Sequence, residues 1–129
     1  MIVGEVNSLP EAVVRLAVRG PAGQEREIEA VVDTGYTGAL TLPAELISEL
    51  ALPFRSLTRA LLADGRETIC ATHEANVKWG QQIRRVSILA AETGPLLGMA
   101  LLYGYELRIE VTDGGRVSIR ELAPTPASE

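Results

Sequence analysis

The stretch EAVVDTGYTGALTLP, Glu29 to Pro43, sets an acid at the junction of two apolar runs. Ile28 to Val32 reads as a strand ending in two β-branched residues, Asp33-Thr34-Gly35 signals a turn, and Ala39 to Leu42 is apolar again. A carboxylate so placed lies near the core unless its loop carries it out to water, and burial without partners is expensive. An Asx-turn, in which Asp33 hydrogen-bonds its own backbone, would satisfy it structurally. A chemical role for the acid is the other reading.

The rest of the chain is mostly strands. Ile2-Val6 and Ala12-Arg19 alternate loosely, and Gly20-Pro21-Ala22-Gly23 marks a turn before the strand Glu27-Val32. Pro43 starts a short helix that turns Leu46, Ile47 and Leu50 to one face and Glu45 and Glu49 to the other. Leu57 to Leu62 and Glu67 to Val77 flank Asp64-Gly65, a two-residue signal of the kind a type I′ hairpin favours. Ile83 to Leu89 is a further strand, broken by Thr93-Gly94-Pro95, after which Leu96-Leu97-Gly98 leads into a helical turn, Met99 to Tyr103. Leu107-Val111 and Arg116-Glu121 form a last hairpin across Thr112 to Gly115. Residues 1–122 are expected to form a single all-β domain with one or two short helices. The Pro/Ser/Ala-rich tail, Ala123 to Glu129, is expected to be disordered.

Several function classes drop out. With 129 residues, 47% of them hydrophobic and 22% charged, the chain suits one globular core. A net charge of −5 argues against a nucleic-acid partner, and the adjacent Arg84-Arg85 reads as a solvated strand edge. Leu96 to Tyr103 is too short to span a bilayer, and Met1 to Pro10 lacks the pattern of a signal peptide. A lone cysteine, Cys70, excludes an intrachain disulfide framework and fits a reducing cytoplasm. No glycine-rich phosphate loop is present, and a single histidine, His73, beside that cysteine gives no metal-ligand pattern. No cofactor is expected. Cys70 reads as a small core residue, His73 as a half-exposed strand residue, and Trp79 as packing beside the turn at Gly80.

Of three aspartates, Asp64 and Asp113 precede glycine in hairpin turns, where backbone geometry accounts for them; only Asp33 precedes Thr-Gly after an apolar strand. Asp-Thr-Gly alone is a weak signal, but its context is stronger. Val31-Val32 precedes it, Ala39-Leu40-Thr41-Leu42 follows it, and Leu96-Leu97-Gly98 comes well downstream before a helix-like segment. The arrangement resembles the retropepsin-like aspartic proteases, the single-lobe relatives of pepsin and the retroviral proteases. The resemblance runs from about Glu11 to Val111 on three segments: VVDTGYTGALTLP, LLADGRET at the place of the family's flap hairpin, and PLLGMALLYGYELRIEV.

That resemblance implies an acid-protease barrel in which a ψ-shaped loop crosses beneath the active site. It makes Asp33 the catalytic acid. Thr34 and Gly35, with Leu97 and Gly98, would support it, Thr34 interlocking with its symmetry mate. Tyr36 and Thr37, and Leu62, Ala63, Asp64, Gly65 and Arg66 of the flap, would meet substrate. Peptide hydrolysis by this route uses two carboxylates sharing one proton. With one Asp-Thr-Gly in the chain, the second acid must come from a second copy, so a homodimer acting on peptides is expected. Apolar residues such as Leu61, Leu62 and Leu97 suggest apolar side chains beside the scissile bond.

The chain departs from the family pattern at Tyr36, where pepsin and retroviral relatives carry a small residue; bacterial and archaeal relatives with an aromatic there look closer. Thr37 and Gly38 replace acids that grip substrate backbone in retroviral relatives, and the flap is polar, with Gly65 as its single glycine. The hairpin Leu107 to Glu121 extends past the retroviral pattern, so interleaved chain ends are not expected. A dimerisation or peptide-binding module with little catalysis is the alternative reading, and a small β-barrel binder with Asp33 as an ordinary turn residue is the weakest.

Overall fold

The computed structural model of the chain describes residues 1–61 and 64–123. Leu62, Ala63 and residues 124–129 of the expected tail lie outside the described residues. In chain order the elements are β1 (Ile2–Val6), β2 (Ala12–Arg19), β3 (Glu25–Val32), β4 (Leu40–Leu42), α1 (Ala44–Glu49), β5 (Phe54–Leu61), β6 (Glu67–Trp79), β7 (Gln82–Ala90), β8 (Leu96–Leu97), α2 (Met99–Leu102), β9 (Tyr105–Ile109) and β10 (Arg116–Glu121). The strands run β5-β6-β7-β4-β8-β3-β2-β1-β10-β9, and an added β6–β2 pairing curls the sheet back on itself. This is the expected all-β architecture with two short helices.

Alternation places the core. Val14, Leu16 and Val18 of β2 point inward while Arg15 stays out, and Ala75, Val77 and Trp79 of β6 and Val117 and Ile119 of β10 join them. Ile47 and Leu50 of α1 are buried, as the spacing predicts. Trp79 packs edge-on against Tyr105, ring centres 5.5 Å apart. β1 is held on both sides, by β2 and β10, which ties the two ends of the chain into neighbouring strands.

β8 decides the site. Its two residues pair in parallel with Val31 and Val32 of β3, while Leu97 also pairs antiparallel with Leu40 of β4. A short strand from far along the chain thus sits between the strands on either side of the Asp33 loop, the ψ-shaped crossing the resemblance implies.

Four expectations are corrected. β5 begins at Phe54, across a bulge between Phe54 and Ser56, because partners on β6 continue to His73. The flap turn is not a two-residue turn at Asp64-Gly65: among the described residues Leu61 and Glu67 are the last pair, and of Asp64 and Gly65 only Gly65 has the left-handed backbone (φ 87°) that type I′ demands of two successive residues. Cys70 is half-buried on the flap strand, outside the core. Arg84 is half-buried and donates to the Leu101 carbonyl at 3.0 Å, so only Arg85 behaves as a solvated strand residue.

Candidate active site

Asp33 leaves β3 with its backbone N–H donating to the Leu97 carbonyl at 2.9 Å, one step beyond the β3–β8 ladder. Its side chain is half-buried; Oδ1 accepts from the Gly35 N–H at 2.9 Å, and its carbonyl accepts from the Tyr36 N–H at 3.1 Å. The Asx-turn of the structural reading is therefore present. It occupies one carboxylate oxygen and leaves the other without a protein partner among the described residues. Thr34 and Gly35 beside it are exposed.

The loop from Tyr36 to Ala39 is bound to the start of α2. The Tyr36 carbonyl accepts from Met99 N–H (2.8 Å), Gly38 from Ala100 (3.0 Å) and Ala39 from Gly98 (2.9 Å). First-turn helix amides lack partners within their own helix, so the Asp33 loop and α2 satisfy each other. The approach is close. A Cβ at Gly98 would lie 2.2 Å from the Gly38 carbonyl oxygen and 2.5 Å from Tyr36 Cδ2, which explains glycine after Leu96-Leu97.

Tyr36 folds back over the loop: a Cβ at Gly38 would meet its hydroxyl at 2.2 Å. The half-buried phenol has its pKa raised, first by loss of water and then by the Cys70 thiol on β6. The aromatic thus fills the space beside the loop glycines and reaches toward the flap strand.

A cleft of about 610 Å3 opens beside the loop. Gly35, Tyr36 and Thr37 form one wall, Thr58 to Leu61 of β5 and Thr72 of β6 another, with Ser87 and Leu89 of β7 between. Tyr36 and Thr37 therefore both line the cleft. The flap-tip residues Asp64, Gly65 and Arg66 do not line the cleft; Arg66 turns back on Asp64, Nε to Oδ2 at 2.6 Å. Leu97 is fully buried, so it supports the crossing and cannot flank a scissile bond, whereas Leu61 does line the cleft.

Thr41 was not singled out by sequence. It is 3% exposed, and its hydroxyl oxygen accepts from the Leu96 N–H at 2.8 Å, pinning β8 beside β4. A polar residue between Leu40 and Leu42 was the available signal. His73 packs edge-on against Phe54 at 5.7 Å, away from the cleft lining. Among the described residues no three His, Cys, Asp or Glu side chains gather as a metal site, and no helix is long and apolar enough to cross a membrane.

No protein-family model matches the chain, and no curated protein matches it. Among solved structures it is similar to a retropepsin-like aspartic protease from Rickettsia conorii, with TM-score 0.59 and 20% identity over 95% of this chain and 91% of that one. The ψ-crossing at Asp33, the hairpin across the cleft and this likeness agree: the chain has the fold of the retropepsin-like aspartic proteases.

Proposed function

We propose that the chain is an aspartic endopeptidase that works as a homodimer, with Asp33 of each copy forming the catalytic pair. The observation that carries this reading is the presentation of Asp33. The ψ-crossing fixes its backbone, Gly35 holds one carboxylate oxygen, and the other oxygen has no protein partner among the described residues, beside a cleft walled by a hairpin. Two facing carboxylates hold one proton between them, since two like charges a few ångströms apart are costly. The ionised member takes a proton from water, which attacks the scissile carbonyl, while the protonated member polarises that carbonyl. Exposed Thr34 is available to the partner copy, and the single thiol suits a cytoplasmic setting.

The test is cleavage of an unstructured protein by wild type and Asp33→Asn across a dilution series. Wild-type specific activity should fall as the dimer dissociates, and the amide, unable to act as base, should abolish cleavage. Undiminished activity in Asp33→Asn overturns the reading. A peptide-binding module with little catalysis is favoured by one observation, the Tyr36 ring packed over Gly38; binding without cleavage by wild type would select it.

A further inference from the structure

Two adjacent arginines on β7 point to opposite faces of the sheet. Arg85 is exposed and reaches Glu74 at 3.5 Å. Arg84 shares the inward face with Val86 and Ile88, is half-buried, and pairs with no carboxylate among the described residues. A guanidinium does not give up its proton in a protein, so a seat partly out of water needs an acceptor. That acceptor is the Leu101 carbonyl at the end of α2, 3.0 Å from Nη1.

α2 is a single turn whose two ends are held by different parts of the chain. Its first amides, Met99 and Ala100, donate to the Tyr36 and Gly38 carbonyls of the Asp33 loop. Carbonyls of a last turn have no partner within their own helix, and α2 carries no base of its own there. Leu101 and Leu102 are buried, which holds the turn against the core. Apolar contact is non-directional, so it resists sliding or rotation of so short an element poorly. The directional restraints are the amides toward the loop at one end and Arg84 at the other.

We infer that Arg84 is a positioning residue for the Asp33 loop, with α2 as the strut between them. Met99 N–H holds the Tyr36 carbonyl at 2.8 Å, and Tyr36 N–H in turn holds the Asp33 carbonyl at 3.1 Å. A shift of α2 therefore reaches the acid through two hydrogen bonds. Arg84 itself does not line the cleft, so it acts on the loop and not on a bound peptide. Its effect on turnover rests on the endopeptidase reading; its hold on the loop does not.

The experiment compares wild type with Arg84→Met, Arg84→Lys and Arg85→Met by thermal melt, amide exchange and cleavage of an unstructured protein. Methionine keeps an apolar stem and removes the donors, whereas lysine keeps the charge and can still donate to the carbonyl. In Arg84→Met the amides of Met99 and Ala100 should exchange roughly tenfold faster or more, while those of β1 and β10 keep their wild-type rates. The kcat should fall roughly ten- to a hundredfold with KM within about twofold, since a small misplacement of the reacting group is costly. Arg84→Lys should recover much of both. Arg85→Met removes the same charge and should match wild type. If Arg84→Met does not fold, Arg84→Gln, whose amide is too short to reach the carbonyl, takes its place with the same expectations. Exchange that quickens everywhere alike, or a lowered melt with kcat unchanged, would make Arg84 merely structural and overturn the proposal. Arg85→Met reproducing the effect, or no recovery in Arg84→Lys, would overturn it too. A wild type that cleaves nothing defeats the endopeptidase reading alone, and exchange at Met99 and Ala100 then still decides whether Arg84 holds the loop.

Discussion

The ψ-crossing and the β5–β6 hairpin bound the same cleft and are built by opposite means. At the crossing, Leu40 and Leu97 are fully buried and the loop is tied to β8 and α2 through successive backbone hydrogen bonds. Across the cleft, Leu57, Leu61 and Ile69 are 67%, 74% and 66% exposed, and the ion pairs Arg59–Glu67 and Arg66–Asp64 sit in water. Exposed pairs of that kind contribute about 0.2–1 kcal/mol each, against about 1.5–3 kcal/mol for burying a leucine. The chain concentrates its rigidity under the acid and leaves the opposite wall loosely held. A protein that must fix a reacting group and admit a polymer benefits from that division.

The comparison breaks most severely at Asp33. Asp33→Asn should lower cleavage by about a thousandfold or more, while a thermal melt stays near wild type, because the amide keeps the turn's acceptor oxygen. A melt that collapses would show the acid to be structural. Next, Leu97→Ala should cost about 2–5 kcal/mol in denaturant unfolding, whereas Leu61→Ala should stay within about 0.5 kcal/mol. Equal costs would erase the contrast between the two walls. Thr41→Val should cost about 1–3 kcal/mol, since it strands the part-buried Leu96 N–H. Asp64→Asn should leave stability within about 0.5 kcal/mol and kcat unchanged, with any effect confined to KM; a drop in kcat would assign the flap tip to the chemistry. The smallest effect belongs to Tyr36 and is nil at neutral pH. Burial raises its folded pKa above the ordinary 10.0, so the native state keeps this contribution below pH 10.0 and loses it as pH rises through the raised value. Tyr36→Phe should flatten that alkaline limb, and an unchanged limb would place the loss elsewhere.

Legibility followed the same division. Strands with one face in the core announced themselves: Val14, Leu16 and Val18 alternate with residues outside the core, and the helix face of Ile47 and Leu50 followed from spacing. Asp33 and the crossing were readable because glycines and apolar pairs repeat a motif. The flap was readable only as a hairpin. Its strand ends and turn are set by pairing on an exposed surface, where side-chain pattern carries little information, so Phe54 and the form of the turn were missed. The fold-back of Tyr36 and the anchoring by Thr41 depend on segments far apart in sequence, which no local pattern records.

The insertion of β8 between β3 and β4 also orders events in time. Thr41 and Leu96 meet across 55 positions, and neither strand beside the acid finds its full set of partners until that later segment arrives. Closing such a span costs chain entropy that only the completed crossing returns, so this contact forms late during folding. During synthesis, a ribosome that has released only the first half of the chain exposes Asp33 on an unfinished loop. Nascent chains therefore carry the acid long before they carry the site.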